Sequence, residues 1–209
     1  VIINSRINGY GDYATPEQGV PVTRPQSRFW ELCLTMNDSW GYQGNDLNYK
    51  TPHQIIRIFV DCISMGGNLL LDIGPMEDSI IPPEQLNILE KLGKWTHKHS
   101  EAIYGTIAGI PYDHFYGPTT LSKDLKNLFL FLDYKPIGPI VLKGIKNKVN
   151  RIRVVGTGIK LSWKIIGKQY WNKNPGLLYI DLPEMALDDQ VTVIALQLNE
   201  PLELFREND

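Results

Sequence analysis

Cysteine is nearly missing from this 209-residue sequence: Cys33 and Cys62 are the whole supply. Each lies inside an apolar periodic segment, with no CxxC and no His/Cys cluster beside it. Neither a disulfide framework nor a zinc site can therefore organise the fold, and two buried free thiols are expected. The histidines His53, His97, His99 and His114 are scattered without ligand spacing, so no metal centre is expected. No GxGxxG, Walker loop or GxSxG occurs, which removes the motif-based case for a dinucleotide, a nucleoside triphosphate or a nucleophile-elbow hydrolase, and no cofactor is expected. Long hydrophobic runs are lacking too. The longest, around Leu128–Leu132, suits a buried strand and falls far short of the roughly 18 residues that span a bilayer. Charge of one sign is also scarce: a formal net charge of -2 offers no electrostatic reason to bind nucleic acid or an anionic membrane.

What the sequence has instead is aromatic side chains, with five Trp and ten Tyr. These offer a flat apolar face and a polar edge. Sugars present the same duality, C–H faces and hydroxyl rims, so the composition suits a carbohydrate partner. The chain opens at Val1 within the apolar run VII, without Met or a polar lead-in, and is expected to be a piece of a longer protein.

Apolar periodicity divides the sequence into two textures. Val1–Ile3 reads as a short buried strand and Asn8–Arg28 as loop. Trp30–Met36 is a strand candidate and Asn37–Thr51 is loop again. Pro52–Ser64 predicts a helix: Thr51 can cap it, Pro52 suits the first helical position, and Ile55, Ile56, Phe59, Val60 and Ile63 recur at three and four. Gly66 and Gly67 stop it. Asn68–Ile73, NLLLDI, is continuously apolar, the mark of a strand covered on both faces. Pro83–Lys98 predicts a second helix, with Leu86, Leu89, Leu92 and Trp95 on one face.

Alternating strands and helices with polar loops after the strands predict a β/α barrel segment whose chemistry gathers at the carboxyl ends of the strands. About 100 residues are too few to close a barrel of about 250. From about Ile107 helical periodicity vanishes. Asn127–Tyr134, Ile140–Leu142, Arg151–Val155, Leu161–Ile166, Gly176–Leu182 and Gln190–Leu198 follow as short strand-like runs, at intervals of roughly ten residues. The expected fold class is α/β plus all-β. An incomplete (β/α)8-like barrel segment over residues 1–107 precedes a small antiparallel β-sandwich over 108–209.

The stretch from Asn4 to Tyr42 carries the chemistry. Glycoside hydrolysis needs one carboxylic acid to protonate the leaving oxygen and a second carboxylate opposite, to attack or to activate water. Glu17 is the candidate acid. It lies in a loop between Pro16 and Gln18, amid aromatics able to desolvate it. Arg6 follows directly on a strand end, where its guanidinium can hold a ring hydroxyl and a carboxylate together. Trp30 reads as core packing. Trp40, in NDSWGY past a strand end, reads as facing a cleft, where an indole can lie under a sugar's apolar face. Glu31, beside Trp30, reads as structurally paired. Asp72, in LLLDIG, is expected to be buried or at a strand end and to need a partner. Neither Glu31, Asp72 nor Asp38 is expected to be catalytic.

Taken in order, NSR, GDYATPE, WELCLTMNDSWGY, GGNLLLDIGP and EAIYGT resemble the α-L-fucosidases of glycoside hydrolase family 29. The resemblance covers residues 1 to about 107, and the tail fits the family's C-terminal β-sandwich. It implies a retaining, exo-acting, cofactor-free hydrolase that removes terminal α-L-fucose from oligosaccharides or glycoconjugates, in a secreted, periplasmic or lysosomal setting. By motif, Glu17 in TPE resembles the family's general acid/base. Arg6 in NSR resembles the arginine that contacts fucose and the nucleophile region, and Trp40 in SWGY the aromatic near the fucose methyl.

The sequence departs from the family's usual wording at two of these motifs: Ser5 replaces the acid of N-D-R, and Asp72 replaces the amide of LLLNIGP. The family's nucleophilic aspartate and histidine-rich fucose pocket lie upstream of the matched region. Asp12 and Asp38 do not fill the gap, because Asp12 shares a loop with Glu17 whereas the two carboxyls of a retaining site flank the bond about 5–5.5 Å apart. The missing N-terminal part of the barrel is thus an expected partner, and the chain alone is expected to be inactive. The alternative is a non-catalytic carbohydrate-binding or support module.

Overall fold

A computed structural model describes residues 1–7, 10–169, 171 and 173–206. The chain divides into two compact units, Val1–His97 and Lys98–Asp209.

The first unit is built on β1 (Glu31–Thr35), α1 (Pro52–Ser64), β2 (Asn68–Asp72) and α2 (Pro83–Lys98), which runs one residue past its boundary. The helix α1 begins where the sequence allows it. Thr51 Oγ1 accepts from the Gln54 amide while Gln54 Oε1 accepts from the Thr51 amide, and Pro52 opens the first turn. It stops at Gly66, whose φ of 78° lies in the left-handed region. Gly67 then runs against the Trp30 indole so closely that a Cβ there would come within 2.2 Å of the ring. Trp30 is buried at 1% exposure, the core residue its sequence context predicts.

Strands β1 and β2 pair in parallel, with α1 as the crossover. Their register sorts side chains by face. Leu32 with Leu69 and Leu34 with Leu71 join Trp30, Met36, Ile55, Cys62 and Ile88 in one core. Glu31 with Asn68, Cys33 with Leu70 and Thr35 with Asp72 occupy the other face. The run NLLLDI is therefore covered on one face only. Leu70 is 50% exposed, which corrects the reading of a strand covered on both faces.

Parallel bridges extend this sheet on the far side of β1, between Ala14 and Trp30, Glu17 and Cys33, and Asn4 and Tyr13. Val1–Ile3 is exposed coil, not a buried strand: pairing in this segment is confined to the backbone around Asn4 and Asp12, and the apolar side chains before it pack on no core. Asn8 and Gly9, which open the predicted loop, lie outside the described residues.

The second unit carries two antiparallel sheets. One has the order β3-β4-β5-β10-β7, from Thr106–Ala108, Thr119–Ser122, Asn127–Leu132, Thr192–Leu198 and Val149–Val154. The other has the order β6-β9-β8, from Ile140–Lys143, Leu177–Ile180 and Trp163–Ile166. Alternate residues of both sheets meet in one core: Leu128, Leu130, Ile194 and Leu196 from the larger, Ile140, Leu142, Leu178 and Ile180 from the smaller. The segment before β3 is tied in by Thr120 Oγ1, which donates to the Ala102 carbonyl at 2.7 Å, and by Arg153, whose guanidinium meets both Glu101 oxygens at 2.6–2.7 Å. The sequence runs mark β5 to β10. They miss β3 and β4, whose TIA and TTLS are too short and too rich in Thr to stand out.

Candidate active site

The face of the first unit's parallel segments that points away from the core borders a pocket of about 330 Å³. Its lining follows the period of extended chain: Asn4 and Arg6 from the first segment, Tyr13, Thr15 and Glu17 from the second, Glu31 and Cys33 from β1, Leu70 from β2, and Trp40 from the loop past β1. All three residues singled out by sequence, Arg6, Glu17 and Trp40, thus line one cavity. Arg6 Nη1 forms an ion pair with Glu17 Oε1, each side chain being 43% exposed. Trp40 is 49% exposed.

Glu17 is fixed by the turn that follows it. Gln18 has φ of 59°, the left-handed region that a non-glycine residue enters only when its surroundings hold it there. Here the Gln18 amide donates to the Cys33 carbonyl at 2.9 Å, and its side-chain oxygen accepts from Thr35 Oγ1 at 3.2 Å. The turn is thereby clamped to β1, and Glu17 is bridged to Cys33.

Trp40 rides on a loop organised by Asp46, which sequence reasoning did not single out. The Asp46 carboxylate accepts from Ser39 Oγ at 2.6 Å and from the amides of Asp38 and Asn48 at 3.1 and 3.2 Å. The Ser39 hydroxyl, ahead of those amides, holds its carboxyl below the usual carboxylate range. Lys50 Nζ donates to the carbonyls of Thr35 and Asn37, and burial pushes its ammonium down. Asp38 turns to Asn48 Nδ2 at 2.8 Å and is absent from the pocket lining. The signal for this device was Asp and Asn clustered in a loop, the residues that hydrogen-bond nearby backbone.

Three expectations need correction. Cys33 is half-buried, not buried: it stands on the pocket face of β1 because Leu32 and Leu34 take the core face. Burial, chiefly, pushes its thiol up; Arg6 opposes this, and Glu17, Asp72 and Glu31 add to it. Cys62 is the buried thiol, pushed up to about 12 by burial. Glu31 makes no side-chain hydrogen bond or ion pair among the described residues, although pairing was expected. Asp72, at the end of β2, is likewise without such a partner and only half-buried. Solvent replaces the partner that full burial would require, and desolvation raises its carboxyl.

Among the described residues no group of three or more His, Cys, Asp or Glu is placed to hold a metal ion. Among the described residues no helix is long and apolar enough to cross a membrane.

Comparison with known proteins gives a consistent result. The family model for α-L-fucosidase matches residues 1–101. Tissue α-L-fucosidase of Mus musculus is 37% identical over 100 residues, which are 46% of this chain and 22% of that protein. Plasma α-L-fucosidase of Rattus norvegicus is 29% identical over 167 residues, 76% of this chain and 35% of that protein. The structure of α-L-fucosidase isoenzyme 1 from Paenibacillus thiaminolyticus superposes with a TM-score of 0.83 at 31% identity, covering 96% of this chain and 50% of that one. The chain thus spans half of that structure and about a third or less of the curated relatives' length. By its motifs, the family match and these relatives, residues 1–101 carry an α-L-fucosidase family domain.

Proposed function

We propose that this chain is the C-terminal portion of a retaining, exo-acting α-L-fucosidase that removes terminal α-L-fucose from oligosaccharides or glycoconjugates. In this reading residues 1–107 are the last part of a (β/α)8-like barrel and 108–209 a β-sandwich. The observation that carries it is the convergence of Arg6, Glu17 and Trp40 on one pocket along the face of the parallel segments.

The roles follow from the side chains. Glu17 protonates the leaving oxygen as the glycosidic bond breaks, then takes a proton from the water that releases the sugar. Arg6 holds sugar hydroxyls and neighbouring carboxylates with its fork of N–H donors. The Trp40 indole offers an apolar face to the sugar's C–H side and methyl group. The nucleophile is an aspartate supplied by polypeptide outside residues 1–209.

The leaving group tests Glu17. A poor leaving group needs its proton at the transition state, whereas an activated aryl oxide departs without one. In the full-length fucosidase, Glu17→Ala should cut turnover of a natural fucosyl linkage by about 10²–10⁴-fold. Burst kinetics with an activated aryl α-L-fucoside should show the glycosylation step largely retained. Equal losses on both substrates would assign Glu17 to structure instead, and retention of both would leave the chain a binding or support module.

A further inference from the structure

Arg6 rests on Glu17 in this pocket. A cation beside a carboxylate favours its ionised form, whereas a general acid must carry a proton when it meets the leaving oxygen. The guanidinium therefore needs a second anionic position, and the pocket contains one. Glu31 lines the same cavity and makes no side-chain hydrogen bond or ion pair among the described residues.

Register brings the two within reach. The Ala14–Trp30 and Glu17–Cys33 bridges set Glu31 opposite Thr15. Arg6 lies two residues past Asn4, whose bridge partner Tyr13 lies two residues before Thr15. Arg6 and Glu31 thus flank Thr15 on segments about two strand spacings apart, on the order of 10 Å between backbones. The long Arg and Glu side chains span such a gap, and the short Thr15 does not obstruct it. A guanidinium has enough N–H donors to leave one carboxylate for another without losing all its bonds.

The remaining titratable groups here are Tyr13 on the Glu17 segment, Cys33 on β1 and Asp72 at the end of β2. The Cys33 thiol feels Arg6, Glu17, Asp72 and Glu31 together. Among the described lining residues Arg6 is the one cation, so its position decides which carboxylate is compensated.

We propose that Glu31 is a positioning residue of this site: it draws Arg6 away from Glu17, so that Glu17 can hold the proton it donates. The proposal rests on the general-acid reading of Glu17. With Glu31→Gln, Arg6 has lost the alternative and stays on Glu17.

The test is the pH dependence of kcat/KM for a fucoside with a poor leaving group, measured on the full-length fucosidase. Glu31→Gln should move the basic limb to lower pH by about one unit, with KM close to wild type. In an Arg6→Gln background the same change should leave the limb in place, because there is no guanidinium to relocate. An unmoved limb in the single variant overturns the proposal. So does an equal shift in both backgrounds, which would make Glu31 a direct like-charge neighbour of Glu17. If Glu31→Gln does not fold, Glu31→Asp keeps the charge on a shorter stem and should move the limb less, in the same direction; an unmoved limb there also overturns it. Glu17→Ala separates the two readings. Loss of its leaving-group dependence removes the acid itself, whereas a limb unmoved by Glu31→Gln despite that dependence removes only the role of Glu31.

Discussion

Asp72 shows at the scale of one residue what a polar group costs at a strand end. It closes β2 opposite Thr35, half-buried, with its carboxyl raised by desolvation and no side-chain partner among the described residues. A carboxyl raised in the folded state binds its proton more tightly there than in the unfolded chain. The stabilisation this gives is complete below the unfolded value, near 3.8, and is lost as pH rises through the raised one. Above the raised value the fold carries an ionised group it would rather keep neutral. Asp72→Asn, which restores the amide usual in the family, should raise the melting temperature at pH 7. The gain over wild type should shrink as pH falls toward 3.8. Thermal melts of both proteins across that range check it, and a gain that does not depend on pH would mean that shape, not charge, is at issue.

At the scale of elements, α1 was legible because several levels agree. Its apolar period, its capping box and Pro52 all point to one helix, and Pro52–Ser64 is the range observed. The cap is also the place to test that agreement. Thr51→Ala removes the hydroxyl that accepts from the Gln54 amide and should cost about 1 kcal/mol in urea unfolding. The pocket should be unaffected, since Thr51 is not among its lining residues. The stretch Tyr13–Glu17 was not legible as a sheet neighbour. YATPE has neither alternation nor an apolar run, and its pairing to β1 rests on backbone groups that any sequence carries. Glu31 and Cys33 could have been found. In WELCLT the core claims Leu32 and Leu34, and period two then sends Glu31 and Cys33 to the opposite face, which is the pocket. They were passed over because a carboxylate beside Trp30 and a cysteine among leucines each have an ordinary structural reading. Trp40 was found for the converse reason: it follows its strand, among Asp, Ser and Gly, where no core can claim it.

At the scale of the molecule, each unit owns a core, and the second unit's core is closed by strands far apart in sequence. Strand β10, the next-to-last in its sheet, pairs with β5 on one side and β7 on the other, and Ile194 and Leu196 sit between the two sheets. Such a unit stays intact only if its edge strands and the contacts that fix them are present. The segment from Lys98 to Ala108 supplies three: β3 pairs with β4, the Ala102 carbonyl accepts from Thr120, and Glu101 holds Arg153 through two charge-assisted bonds. Partial burial of the Arg153 side chain makes that pair more than a fully exposed contact, because an arginine stripped of its carboxylate would keep its charge in a partly desolvated place. Residues 98–209 expressed alone should therefore fold and melt in one cooperative step, seen as coincident transitions in near- and far-ultraviolet circular dichroism. Residues 108–209 should melt lower and less sharply, since β4 becomes an unpaired edge and Arg153 loses its partner. Glu101→Gln in the longer piece should reproduce part of that loss, which apportions it between the ion pair and the missing strand. Equal melting of the two pieces would show that the segment before residue 108 belongs energetically to the first unit instead.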